Sequence, residues 1–131
     1  MAAAGEKPET NERYYDGFEG EDEIFFAAAK DGRVRKRLGV WNGYINDIIR
    51  IIEPAPGGWE AITYHYHVTG LDAFSEEKPC RIEDIPLVYR QLASVTPNML
   101  SYSKTAEVLR EITDLLKEAA DNGEEVYLYL Y

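Results

Sequence analysis

The sequence predicts an α+β domain: an antiparallel four-stranded meander over about residues 23–68, two helices over about 84–95 and 104–121, and a C-terminal strand over 125–131, packed as one pair of layers. Three observations carry this. Asp31-Gly32 and Asn42-Gly43 separate runs rich in β-branched and aromatic residues, the pattern of tight hairpins. After the loop at 70–79 the apolar period lengthens to that of a helix, and the last residues alternate strictly between apolar and other side chains.

Residues 1–22 read as a flexible acidic arm and 23–131 as the single domain. Glycine, proline and spaced carboxylates dominate the arm, which has too few aliphatics to bury much surface. Tyr14, Tyr15 and Phe18 depart from that composition and suit docking.

The first strand covers 24–29, Asp31-Gly32 turns the chain, and 34–41 returns. Asn42-Gly43 predicts a second tight turn into a strand at 44–52, and after the break at 54–58 a fourth strand runs over 59–68. Ile45, Ile48, Ile49 and Ile52 also have the i, i+3, i+4, i+7 spacing of a helical face; β-branching and the preceding Asn-Gly favour the strand. With both turns tight, Phe25 faces Leu38 and Trp41 faces Tyr44. Phe25, Ala27 and Ala29 then join Val34, Leu38 and Val40 on the core face, and a single bulge exchanges part of that assignment.

Asp84 caps the first predicted helix, whose Pro86 lies where a missing N–H is tolerated. Val108, Leu109, Ile112, Leu115, Leu116 and Ala119 form the stripe of the second, and Gly123 stops it. In the last strand Val126, Leu128 and Leu130 share one face and three tyrosines the other. A strand so apolar is expected to pair within the sheet or with a second subunit of a homo-oligomer.

The net charge of -10 is unevenly spread. Residues 1–23 hold eight acids against Lys7 and Arg13; the remaining residues hold sixteen acids against twelve bases. No apolar run approaches the length of a membrane span, the N-terminus lacks a signal-peptide pattern, and a lone Cys80 forms no internal disulfide, so a reduced cytoplasm is the expected setting.

No catalytic motif is present: no nucleophile elbow, phosphate loop or dinucleotide fingerprint, and no cofactor is expected. Three constellations remain. His65 and His67, at i, i+2 on the expected fourth strand, point to one side as metal ligands do, the sole support for an enzyme. Arg33, Arg35 and Arg37 alternate on one strand with Trp41 and Tyr44 beyond, suiting a small-ligand or nucleotide pocket; the negative whole-molecule field opposes nucleic acid. In the arm, Tyr14, Tyr15 and Phe18 stand among Asp16, Glu19, Glu21 and Asp22, aromatic anchors ringed by carboxylates, which suits a partner with a basic surface or the chain's own basic hairpin.

Small acidic α+β domains without catalytic motifs resemble, in gross character, bacterial immunity proteins, antitoxins and phage-encoded inhibitors. That resemblance implies a protein-binding function rather than catalysis.

Overall fold

The computed structural model describes residues 8–131. Five strands form one sheet: β1 (Glu9–Tyr14), β2 (Glu23–Lys30), β3 (Arg33–Trp41), β4 (Cys80–Arg81) and β5 (Glu125–Leu130), in the spatial order β1-β3-β2-β5-β4. β1 runs parallel to β3, and the other neighbours are antiparallel. The helices are α1 (Asn42–Ile49), α2 (Ala61–Tyr64, continued by a π-helical turn His65–Thr69), α3 (Ile85–Ala93) and α4 (Thr105–Asp121). α1 and α4 pack on one face of the sheet, α3 packs on α4, and α2 packs on α3.

The α+β class, the Asp31-Gly32 hairpin, α3, α4 and the C-terminal strand agree with the sequence reading, but the four-stranded meander does not. Its last two strands are helices. Ile45, Ile48, Ile49 and Ile52 are all buried, and covering four isoleucines at about 1.5–3 kcal/mol each outweighs the fraction of a kcal/mol per residue by which β-branching disfavours a helix. Asn42-Gly43 opens α1 instead of turning a hairpin: a Cβ on Gly43 would lie 2.3 Å from the Trp41 ring, so the glycine makes room for that indole.

The segment expected as the fourth strand coils because α3 supplies what a helix start lacks. Gln91 accepts from Ile62 N (3.2 Å) and donates to Glu60 O (3.0 Å), while Thr63 and Glu60 form a capping box.

In β2–β3 the pairs nearest the turn, Lys30↔Arg33 and Ala29↔Val34, obey the tight-turn register, but Ala28 pairs with Lys36 and Arg35 is the extra residue. Beyond this bulge the register moves by one, so Leu38 faces Phe26 and not Phe25. Ile24, Phe26 and Ala28 therefore join Leu38 and Val40 under the helices, while Phe25 and Ala27 cluster with Tyr129 on the opposite face.

β1 lies within the segment expected as a flexible arm. It pairs with β3, buries Tyr14, and places Thr10 Oγ1 3.3 Å from two nitrogens of Arg37; residues 1–7 of that arm lie outside the described residues. β5 sits inside the sheet. β2 takes one edge, and Cys80–Arg81, Ile82 N and Phe74 O take the other, so the strand pairs within the sheet, the first of the two arrangements expected for it. No helix among the described residues is long and apolar enough to cross a membrane.

Candidate functional site

The end of β1 and the turn after it gather the arm residues singled out in the sequence. Tyr15 N donates to Glu12 O, Phe18 N to Tyr15 O and Glu21 N to Phe18 O, at 2.9–3.0 Å, so the chain makes successive turns. Gly17 and Gly20 take φ of 90° and 98°, conformations costly for any residue with a Cβ. The Tyr15 hydroxyl donates to Glu21 O and closes the turn from within.

Phe18 anchors the turn to the domain. Its ring stacks on Trp41 at 4.0 Å between centroids and 6° from parallel, and meets Tyr44 edge-on at 5.8 Å. Tyr102 completes the cluster, edge-on to both Trp41 and Tyr44. Trp41 Nε1 donates to Glu21 Oε1 (3.0 Å), and Asn42 N to Asp22 O (3.0 Å).

Tyr102 is held in turn by buried Asp47 of α1, which accepts from Ser101 N, Tyr102 N, Thr105 Oγ1 and Arg50. Burial alone would raise this carboxyl; the hydrogen bonds from Ser101, Thr105, Arg50 and Tyr102 outweigh it and hold the group down at about 2.

Asp16, Glu19, Glu21 and Asp22 remain exposed on the turn, and no ion pair among the described residues involves them. Of the aromatic sequence candidates, Tyr14 is buried in the core, while Tyr15 and Phe18 are half-buried and engaged within the turn and the aromatic cluster.

No protein-family model, curated protein or solved structure matches this chain.

The expected arginine stripe is divided by the bulge. Arg35 turns toward α4, with Nε and Nη2 at 2.6 and 2.8 Å from the Glu124 carboxylate and Nη1 2.7 Å from Glu118. This fork raises Arg35 and lowers Glu124 from their ordinary values. Arg37 instead lies over the Phe25 ring on the opposite face of the sheet, and Trp41 and Tyr44 belong to the aromatic cluster.

His65 and His67 stand on a helical turn and do not share a strand face. His65 meets Phe74 and Tyr64 edge-on, and burial lowers it from its ordinary value; His67 stacks on Trp59 at 4.1 Å. Among the described residues no group of three or more His, Cys, Asp or Glu side chains is placed to hold a metal ion. Burial pushes the Cys80 thiol up, away from the reactive thiolate.

The face of the sheet away from the helices holds a groove of about 570 Å³, lined by Ala27, Ala29, Val34, Tyr127 and Tyr129, with Arg37 and Glu76 among its polar lining. The sequence reading missed this groove and Tyr102. Small alanines flanked by alternating tyrosines are a signal for the groove, but its face depends on the bulge.

Proposed function

We propose that this domain is a protein-binding module of the immunity-protein, antitoxin or inhibitor kind, which presents Asp16, Glu19, Glu21 and Asp22 to a partner with a basic surface. The observation that supports the reading is the pairing of order with unspent charge. The Phe18–Trp41 stack fixes the turn, while its four exposed carboxylates have no ion-pair partner among the described residues. A preordered loop loses less entropy on association than a mobile one, and clustered charge of one sign accelerates encounter with its opposite.

The quadruple variant Asp16→Asn, Glu19→Gln, Glu21→Gln, Asp22→Asn tests this, since the side-chain amide introduced by Glu21→Gln retains an acceptor for Trp41. Affinity capture from the native host recovers a basic protein in near-stoichiometric amount with the wild type and not with the variant, at equal melting temperatures. Equal recovery with both, or recovery with neither, rejects the reading.

A second reading rests on the groove. Its volume of about 570 Å³ falls in the range of small-molecule sites, and Arg37, paired with Glu76 at 3.4 Å, stands in its lining as a cation for an anionic group on a ligand seated beside Tyr127. A thermal shift with nucleotides or phosphorylated metabolites, abolished by Ala29→Leu, favours it; no shift with any of them removes it.

A further inference from the structure

Gly39 stands in the middle of β3, where a glycine weakens a strand unless another group needs its space. That group is Glu23. A Cβ on Gly39 would lie 2.2 Å from Glu23 Oε2 and 2.7 Å from the Phe25 ring, so the carboxyl of β2 lies across the backbone of β3 at this residue. From the other side comes β1, whose register against β3 shifts between Asn11↔Leu38 and Tyr14↔Val40, so that Glu12 and Arg13 together span the position of Gly39. Glu12 is also the side chain whose charge and hydrogen bonding act on the Glu23 carboxyl, so two carboxyl groups from strands that do not pair come together beside the one residue of the intervening strand that lacks a side chain.

Glu23 is 4% exposed, and its Oε2 is buried with no hydrogen-bond partner among the described residues. Such an atom is destabilising, the more so when charged. Protonation removes the cost, because the acid then becomes the donor and Glu12 accepts.

We propose that Glu12 and Glu23 share one proton across Gly39, and that this proton latches β1, and the acidic turn it leads into, onto the sheet. Loss of the proton to solvent leaves two carboxylates facing each other, one of them the buried Glu23. The one free to retreat is Glu12, exposed on the edge strand.

The groups facing the pair fit this assignment. Burial, then the charge and hydrogen bonding of Glu12, push Glu23 up to about 7; Arg37 of β3 draws it down without cancelling them. Tyr129 of β5 is raised chiefly by its own burial, and Glu23 adds to this, as a neighbouring negative charge does. Because Glu23 is raised above its ordinary 4.5, the stability it contributes is full below that value and is lost as pH climbs to about 7. His65, lowered by burial, acts in the opposite sense over an overlapping window, so the comparison needs a variant of Glu23 itself.

Trp41 stacks on Phe18 and reports whether the turn is seated. In a Trp59→Phe background it is the sole tryptophan. Its emission shifts to the red as pH rises from about 5 to about 8.5, with a midpoint near the value of Glu23. Glu23→Gln removes that transition, and exposed Glu12→Gln moves the midpoint toward the ordinary glutamate range. Persistence of the transition in Glu23→Gln, or its absence from the parent protein, overturns the latch. Should Glu23→Gln fail to fold, an NMR titration of the Glu23 side-chain carboxyl carbon in the native chain decides: a midpoint in the ordinary glutamate range overturns it. These readouts use the protein alone, so they stand or fall independently of any basic partner.

Discussion

Phe18 and Trp41, twenty-three positions apart in the sequence, stack face to face at 4.0 Å, and that contact converts an acidic arm into an ordered turn. Removing the ring tests how much of the order depends on it. Phe18→Ala is expected to cost about 2 kcal/mol, from lost apolar area and the aromatic pair. Denaturant unfolding measures the loss, and exposure of Trp41 should accompany it. Unchanged Trp41 emission would mean the backbone turns alone hold the segment.

Asp47 ties α1 to the loop carrying Tyr102, satisfying two backbone N–H groups and a buried hydroxyl at once. Asp47→Ala is expected to cost about 3 kcal/mol, because those donors lose a charged acceptor. The carboxyl is held below its ordinary 3.8, so its contribution is present above that value and lost as pH falls toward about 2. An acid-unfolding series on wild type and variant should converge at the acid end.

Arg35 and Glu124 form a bidentate pair in which the carboxylate is buried and the guanidinium half-exposed. Arg35→Met is expected to cost about 1–3 kcal/mol by stranding that carboxylate, and Arg35→Lys recovers only part of it, since an ammonium lacks the fork. A double-mutant cycle with Glu124→Gln measures the coupling; a value near zero would assign the pair to the weak surface class.

Gly39→Ala places a methyl group where the Glu23 carboxyl lies. A loss of about 1–3 kcal/mol is expected from overpacking, although β3 is a strand in which alanine ordinarily outperforms glycine. Combining it with Glu23→Ala should restore much of the loss, measured by thermal unfolding. No restoration would locate the clash at Phe25 instead.

Elements whose signal is local were legible in the sequence. The α4 stripe, the Asp84 cap of α3, the Asp31-Gly32 turn and the alternation of β5 each rest on residues that neighbour one another along the chain, and each stands in the fold. The aromatic and acidic residues of the arm were also visible as a group. What was not visible depended on partners far away in sequence. Gln91 decides that 61–69 coils, burial of four isoleucines decides α1, and the extra residue Arg35 decides which face of β2 meets the helices.

By itself the sequence determined the class, the places of α3 and α4, the concentration of charge near the N-terminus and the lack of catalytic motifs. Tertiary structure alone decided that the arm contributes a strand, that the arginines diverge, and that the Glu23 carboxyl lies across a glycine of the neighbouring strand. The reason is physical: propensities and turn preferences are worth fractions of a kcal/mol per residue. Burial and the satisfaction of buried polar groups are worth several times more, and they are settled only when distant segments come together.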